Sequence, residues 1–287
     1  MKILVTGARG QLGTDLTEEL GRRGIETIPA DLPDTDITDT QSLTALFDRE
    51  RPDAVIHAAA YTAVDKAESE KELCRAVNVE GTRNIARLCG ERGIKLVFTS
   101  TDYVFGSDGD ELLETDSPCA PLNYYGETKL EAENIIRELC PRHFIVRISW
   151  VFGVHGKNFV YTMLRLADER DCLTVVDDQI GSPTYTRDLA PLLCEMAASD
   201  KYGTYHATNE GFCSFYDYAR EIFALAGKST VVKPVKTAEY VTPARRQLNS
   251  RLSKKSLDEA GFARLPDYHD ALRDFLTRAG YIQHVDK

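Results

Sequence analysis

The amino-acid sequence predicts an α/β fold with a doubly wound parallel sheet and a smaller C-terminal lobe. Short apolar runs alternate with amphipathic helical stretches over residues 1–150, and a glycine-rich turn follows the first run. After residue 150 this alternation becomes less regular. Such alternation is typical of right-handed βαβ units, in which helices cover both faces of a parallel sheet.

The expected elements follow in order along the first half of the chain. Residues 2–7 are expected to form the first strand, residues 15–24 an amphipathic helix ending at Gly24, and residues 26–31 the second strand. Further strands are expected at 54–59, 95–100 and 144–149, each preceded by a helical pattern. Their nearly continuous apolar composition is typical of strands that are buried on both faces.

Composition narrows the possible partners. The chain has 287 residues and a net charge of -10, which argues against a nucleic-acid partner or an anionic membrane surface. No apolar run is long enough to span a bilayer, and the apolar start is too short for a signal peptide. The seven cysteines include no CxxC pair, so we expect reduced thiols, a cytoplasmic location and no metal site among them.

Three glycines after the first strand indicate a dinucleotide site. Gly7 and Gly10 allow a tight turn close to a pyrophosphate, and Gly13 allows the next helix to pack near the strand. The N-terminus of that helix would face the phosphates with free N–H groups. The spacing is GxxGxxG and differs from the usual GxGxxG. The alternative interpretation is a tight turn that binds nothing.

Asp31 ends the second strand and is expected to bind the adenosine ribose hydroxyls. A carboxylate there would repel a 2′-phosphate, so the sequence weakly favours NADH over NADPH. Arg9, in the glycine turn, is the residue that could reverse this preference. A solvated aspartate at a strand end is the alternative, since Asp34 and Asp36 lie nearby.

These features predict a dinucleotide-binding domain over residues 1–150 and a mainly substrate-binding lobe over residues 151–287. Residues 173–178 and 204–209 could be late strands that rejoin the first sheet. Residues 181–186 and 233–246 are expected to be loops or short elements. We expect the lobe to close over the carboxyl edge of the sheet.

Tyr125 and Lys129 form a candidate proton-transfer pair, because residues four apart share one helix face. We expect the ammonium to lower the phenol pKa from about 10 to near 7. Tyr125 could then protonate a carbonyl oxygen as hydride reaches the carbon, while Thr101 hydrogen-bonds the same oxygen. Tyr124 lacks a lysine four residues later. A solvated helix face is the alternative interpretation of the pair.

Several longer segments carry a family resemblance. They are TGARGQLG, HAAAYTAVDKAE, STDYVFG, YYGETKLEAE, RISWVFG, KNFVYTML, DDQIGSPTYT and PARRQLNSRL, in that order along the chain. The chain resembles the extended short-chain dehydrogenase/reductases and, within them, the dTDP-4-dehydrorhamnose reductase family. The resemblance implies a Rossmann-type fold, use of NADH or NADPH, and a homodimer. It also implies reduction of the C4 carbonyl of a nucleotide sugar, dTDP-4-dehydro-β-L-rhamnose, with the proton coming from Tyr125.

The resemblance also implies roles for individual residues. Tyr125 would be the acid, and Thr101 would polarise the C4 oxygen. Lys129 would adjust the pKa of Tyr125 and bind the cofactor ribose. The remaining cofactor residues would be Gly10, Gln11 and Leu12 at the pyrophosphate, Asp36 and Ile37 near the adenine, and Ala60, Tyr61, Thr62 and Thr99 along the cleft. The substrate would touch Asp102, Val64 and Trp150, whereas Arg147 is expected to pair structurally.

Two positions depart from the family pattern. Gln247 stands where the family commonly has proline, which puts the rigidity of that loop in doubt. Some family members bind magnesium through interface carboxylates, but Arg187 stands where a carboxylate could have served. We therefore expect no metal.

Two other functions remain open. A nucleotide-sugar dehydratase or epimerase would share this fold, but a dehydratase needs an Asp-Glu pair, and here Asp102 is followed by Tyr103. The second is a non-catalytic, dinucleotide-binding regulatory subunit of the methionine adenosyltransferase type. The complete set of Thr101, Tyr125 and Lys129 argues against that function.

Overall fold

A computed structural model describes residues 1–283 of the chain. In chain order the strands are β1 (Lys2–Thr6), β2 (Glu26–Ala30), β3 (Ala54–His57), β4 (Lys95–Thr101), β5 (His143–Ile148), β6 (Val151–Phe152), β7 (Cys172–Val176), β8 (Ile180–Gly181), β9 (Thr184–Tyr185), β10 (Gly203–His206), β11 (Cys213–Ser214), β12 (Val231–Val235) and β13 (Asn249–Ser250). The helices are α1 (Gln11–Arg22), α2 (Thr40–Glu50), α3 (Val64–Ala67), α4 (Lys71–Arg75), α5 (Thr82–Arg92), α6 (Tyr124–Leu139), α7 (Phe159–Glu169), α8 (Thr186–Ala198), α9 (Phe215–Leu225), α10 (Lys255–Ala260) and α11 (Tyr268–Arg278). A π-helical segment, Ala76–Gly81, joins α4 to α5, and 3-10 turns form at Asp102–Val104 and Thr237–Glu239.

The central sheet is parallel and has the spatial order β2-β1-β3-β4-β5-β10. This arrangement confirms the predicted doubly wound sheet. The chain passes from β1 outward to β2 and then builds β3, β4 and β5 on the other side. The strand order therefore reverses beside β1. Open sheets of this kind bind ligands at the carboxyl ends of the strands, next to such a reversal.

Neighbouring residues of β1 face opposite sides of the sheet, as the strand period requires. Ile3 and Val5 belong to the apolar core that contains α1 and α8, whereas Leu4 belongs to the core that contains α2, α5 and α6. All three side chains are fully buried. Burial on both faces explains why the strand sequences are continuous apolar runs.

The first helix begins earlier than the sequence pattern predicted. It starts at Gln11 rather than at residue 15, because the carbonyl of Gly10 already accepts the N–H of Thr14 at 3.0 Å. The helix therefore opens directly from the glycine turn, and its N-terminus points toward the carboxyl edge of the sheet.

A separate apolar core lies in the C-terminal half, among α7, α9 and α11. Phe152 of β6 and Tyr185 of β9 lie within it and stack with their ring centroids 5.0 Å apart. No helix within residues 1–283 has the length and apolar character needed to cross a membrane.

The prediction that residues 173–178 could rejoin the central sheet is wrong. Residues 173–178 do not rejoin the central sheet, because β7 pairs with β12 in a separate two-stranded sheet. Cys172 and Thr174 are exposed while Leu173 and Val175 are buried, so only one face of β7 is covered. Residues 204–209 behave differently, since β10 pairs with β5 at the edge of the central sheet.

Candidate active site

The glycine turn between β1 and α1 forms the base of the site. Gly7 has a φ of +66°, and a Cβ at this position would lie 2.8 Å from the backbone nitrogen of Ala59. A Cβ on Gly13 would lie 2.0 Å from the carbonyl oxygen of Gly7. Gly10 precedes α1 without a side-chain cap, so the first N–H groups of the helix remain available to an anion.

Asp31 lies just beyond β2 and is anchored through both carboxylate oxygens. Oδ2 accepts the backbone N–H of Arg9 at 2.8 Å, and Oδ1 accepts that of Leu32 at 2.8 Å. The guanidinium of Arg9 pairs with Asp34 at 2.7 Å. The two residues with opposing expected effects on cofactor choice are therefore bonded to each other.

The segment after β3 is held by a residue that the sequence analysis did not identify. Oδ1 of Asn78 accepts the N–H of Tyr61 at 2.8 Å, and its Nδ2 donates to the carbonyl of Tyr61 at 3.2 Å. The same amide donates to Oγ1 of Thr128 at 3.1 Å. Asn78 lies in the π-helical segment, and such segments are frequent at functional sites. It ties one wall of the site to α6.

Tyr125 and Lys129 occupy successive turns of α6, and both are buried. Asn123 caps the helix, because its side chain accepts the N–H of Gly126 at 2.9 Å. The Nζ of Lys129 donates to the carbonyl of Thr99 at 2.8 Å. The pair therefore faces the end of β4 and not solvent, which rules out the solvated-face interpretation.

Burial changes the titration of this pair in a way that the sequence analysis did not foresee. The expected lowering of the Tyr125 pKa is wrong: burial raises it, and the charge of Asp102 raises it further. Burial also lowers the pKa of Lys129 to about 7. Desolvation disfavours the charged form of each group and is the largest cause of both pKa shifts. Tyr125 is thus held as a neutral phenol, the form that donates a proton.

Thr101 and Asp102 stand at the end of β4, beside Tyr125. The hydroxyl of Thr101 accepts the N–H of Tyr103 at 3.2 Å and donates to Oδ1 of Asp102 at 3.1 Å. A Cβ on Gly126 would lie 2.3 Å from the carbonyl oxygen of Tyr103, so α6 packs directly against this turn. Burial raises the pKa of Asp102 to about 6.

Trp150 follows β5 and marks the entrance to the C-terminal lobe. Its φ of +49° lies in the left-handed region, which residues other than glycine rarely adopt. Its ring stacks on Phe215 of α9 with centroids 3.7 Å apart, and Phe215 lies 5.0 Å from the ring of Phe159. The lobe therefore presents an aromatic wall to the site.

One continuous cleft of about 1090 Å³ brings these groups together along the carboxyl edge of the sheet. Every residue predicted for the site lines it: Gly7, Gly10, Gln11, Leu12, Gly13, Asp31, Asp36, Ile37, Ala60, Tyr61, Thr62, Val64, Thr99, Thr101, Asp102, Tyr125, Lys129 and Trp150. Small-molecule sites usually measure roughly 300–1,000 Å³, so this cleft has room for two ligands side by side. Within residues 1–283, no group of three or more acidic, histidine or cysteine side chains is placed to hold a metal ion.

The lobe adds lining residues that the sequence analysis did not assign to the site. Phe159, Met163 and Phe215 contribute apolar surface, and Arg246 contributes a guanidinium held by both carboxylate oxygens of Asp65, at 3.0 and 2.9 Å. The motifs KNFVYTML and PARRQLNSRL contain three of these residues. Their place in the site depends on contacts far along the chain, which spacing alone does not reveal.

Comparison with known proteins identifies the family. Residues 1–280 match the family model described as the RmlD substrate binding domain. The chain belongs to this family. The match spans both the central sheet and the C-terminal lobe.

Relatives of this family member cover nearly the same length. A Bacillus subtilis spore coat polysaccharide biosynthesis protein, SpsK, is 40% identical over 96% of both chains. The dTDP-4-dehydrorhamnose reductase of Aggregatibacter actinomycetemcomitans is 40% identical over 97% of this chain and 99% of its own. The structure of dTDP-4-dehydrorhamnose reductase from Bacillus anthracis in complex with NADP has a TM-score of 0.93 and 40% identity, over 96% of this chain and 99% of that one.

Arg147, within this RmlD-family fold, serves a structural role. Its guanidinium forms a fork with Glu133, from Nε to Oε1 at 2.9 Å and from Nη2 to Oε2 at 2.8 Å. Both side chains are buried, and the pair joins β5 to α6. The pair fixes the helix that carries Tyr125 and Lys129.

Proposed function

We propose that this protein reduces the C4 carbonyl of dTDP-4-dehydro-β-L-rhamnose to the hydroxyl of dTDP-β-L-rhamnose. The observation that carries the proposal is the meeting of Thr101, Tyr125 and Lys129 in one cleft with the glycine turn. Full-length relatives named dTDP-4-dehydrorhamnose reductase support the choice of substrate.

The chemistry divides between the chain and its cofactor. NAD(P)H, when bound, supplies the hydride that the carbonyl carbon accepts. Tyr125 donates its phenolic proton to the C4 oxygen, so the carbonyl becomes a hydroxyl. Lys129 compensates the negative charge that this transfer leaves on the phenol oxygen. Thr101 holds its hydroxyl beside the same oxygen. When the substrate binds, the hydroxyl proton turns from Oδ1 of Asp102 to the C4 oxygen and polarises the carbonyl.

The cleft offers each ligand a distinct end. The glycine turn and the N-terminus of α1 would hold the cofactor pyrophosphate, with Asp31, Asp36 and Ile37 toward the adenosine. Asp102, Val64 and Trp150 would touch the sugar. The apolar surface of Phe159, Met163 and Phe215 suits the planar base of a nucleotide sugar.

Either nicotinamide cofactor fits this chain. The NADP bound to the Bacillus anthracis relative supports use of the phosphorylated form. For this protein we expect both cofactors to serve, with a modest preference for NADH, because Asp31 and Asp34 place negative charge near the expected 2′ position. Arg9 opposes that preference, although it pairs with Asp34.

The structure also bears on the competing functions. In place of the glutamate that a dehydratase requires, the chain has Tyr103, and burial raises the pKa of that phenol to about 12. A phenol with so high a pKa stays protonated at neutral pH and therefore cannot accept a proton from the substrate. A non-catalytic regulatory subunit would have no need for the buried pair of Tyr125 and Lys129.

The decisive experiment measures cofactor oxidation with dTDP-4-dehydro-β-L-rhamnose made enzymatically in the same tube. We expect loss of NADH or NADPH only when this sugar nucleotide is present, with dTDP-L-rhamnose as the product. Unchanged levels of both cofactors with authentic substrate would rule the function out. We further propose that the enzyme is a cytoplasmic homodimer that needs no metal, which light scattering and assays with a chelator would test.

A further inference from the structure

Gln247 joins the C-terminal lobe to the turn that carries Asp102. Its Nε2 lies 3.2 Å from the backbone carbonyl of Asp102, 3.1 Å from Oδ2 of the same residue, and 3.1 Å from Oγ of Ser250. A backbone carbonyl can only accept a hydrogen bond, so the amide nitrogen and not the amide oxygen must face it. The orientation of the Gln247 amide is therefore fixed by its partner.

The carboxyl of Asp102 has its hydrogen-bonding positions occupied on both sides. Oδ1 accepts from Thr101 at 3.1 Å, while Oδ2 accepts from Ser250 at 2.6 Å and from Gln247. The side chain is almost fully buried. These bonds hold the plane of the carboxylate, and with it the hydroxyl of Thr101 next to Tyr125.

Few titratable groups face Asp102. Tyr103 and Tyr125 are the phenols near it, and Arg246 lies beside Tyr103 in a pair with Asp65. The phenol pKa values of Tyr103 and Tyr125 are both raised by burial. Lys129, one helical turn beyond Tyr125, changes charge near pH 7. Asp102 changes charge near pH 6, so we assign the acidic limb of the pH profile to Asp102 and the basic limb to Lys129.

We propose that Gln247 is a positioning residue for the reduction: its amide holds the carboxyl group of Asp102 in a fixed orientation, so that Thr101 stays aligned with Tyr125. The inference rests on the proposed function. It adds a residue that does not line the main cleft and that acts on the reaction through Asp102, directly and through Ser250.

We expect the protein to fold when a neutral side chain of similar size replaces Gln247. The Oε1 of Gln247 is buried and has no hydrogen-bond partner within the described residues, and the residue borders a small cavity of about 10 Å³. A buried, unpartnered oxygen is itself destabilising. Removing it in Gln247→Met offsets part of the loss of the Nε2 hydrogen bonds.

The test compares the pH profiles of kcat/KM and kcat for wild type and Gln247→Met, with saturating NADH. Loss of a donor to the ionised carboxylate raises the pKa of Asp102. We expect the acidic limb near pH 6 to move up by roughly one pH unit and kcat to fall about tenfold. The KM for NADH should be unchanged, because the cofactor end of the cleft is untouched.

Asn249→Ala is the matched control. Asn249 is a buried neighbour on the same segment, but its amide donates to Ser107 and to the carbonyl of Glu111 rather than to Asp102. This variant should lower Tm and leave the acidic limb in place. An acidic limb and kcat that are unchanged in Gln247→Met would overturn the inference while the reductase function stands. An inactive wild type would overturn both.

Discussion

The ammonium of Lys129 is bonded to the carbonyl of Thr99, at 2.8 Å, and lies 4.0 Å from the ring centroid of Phe98. This contact fastens the middle of α6 to the end of β4. It sets the distance between the helix that carries the acid and the strand that carries Thr101. It also removes the ammonium from water, which is why its pKa falls.

Replacing Tyr125 with phenylalanine should lower kcat by about 100-fold or more, because the phenolic proton is lost. Binding of NADH should change little. Tyr124→Phe is the control, since Tyr124 does not line the cleft and instead lies beneath Lys71. Steady-state assays and cofactor titrations measure both effects. Equal activity of the two variants would mean that Tyr125 is not the acid.

The activity should fall as the pH rises through about 7, the pKa of Lys129 in the free enzyme. The charged form of lysine exists below its pKa, so an enzyme that needs the ammonium loses kcat/KM above that value. Lys129→Met should abolish this basic limb and reduce kcat/KM at every pH. Lys255→Met, at an exposed position on α10, serves as the control. Survival of the basic limb in Lys129→Met would assign it to another group.

Gly13→Ala should strongly weaken NADH binding and lower Tm, because its Cβ would lie 2.0 Å from a backbone oxygen. Gly21→Ala, on the same helix, is a matched control with no atom within 4 Å of the added carbon. We expect that change to stabilise the protein by up to about 1 kcal/mol. Thermal unfolding with and without NADH measures both. Normal NADH affinity in Gly13→Ala would contradict the close packing of the turn.

Cofactor preference should depend on the bonded pair of Arg9 and Asp31. We expect wild type to favour NADH by about tenfold, or roughly 1.4 kcal/mol, because an exposed carboxylate repels a 2′-phosphate only through screened charge. Asp31→Ala should reduce the preference. Ratios of kcat/KM for the two cofactors measure it. A wild-type preference for NADPH that vanishes in Arg9→Ala would show that the arginine governs this end of the cleft.

Stability should fall on acidification, partly because of His57. Burial lowers the pKa of this residue to about 3. Its two ring nitrogens form hydrogen bonds with the hydroxyls of Thr6 and Thr82. His57 therefore binds a proton near pH 6.5 in the unfolded chain but only near pH 3 in the folded chain. The free energy of unfolding decreases as the pH falls from 6.5 toward 3. One such histidine accounts for about 2 kcal/mol between pH 7 and pH 5.

Urea unfolding of wild type and His57→Asn at pH 7 and pH 5 tests this assignment. The variant should lose less stability between the two values than wild type does. His155→Asn, at a largely exposed position, should behave like wild type. Identical pH slopes for wild type and His57→Asn would show that other groups dominate.

The sequence by itself determined those parts of the molecule that depend on near neighbours in the chain. The glycine turn follows from Gly7, Gly10 and Gly13, whose spacing places a strand end against a helix start. The pairing of Tyr125 with Lys129 follows from the helical period. The parallel sheet follows from alternating apolar runs and helices.

Only the tertiary structure decided what depends on groups distant in the chain. The strand predicted at 173–178 is β7, which pairs with β12 and not with the central sheet, and one of its faces is exposed. The pKa of Tyr125 rises because α6 and the Asp102 turn exclude water from the phenol, an effect that no local spacing encodes. The contact between Gln247 and Asp102 spans 145 positions. Burial and long-range hydrogen bonding arise only when the whole chain packs, and they set the chemistry of this site.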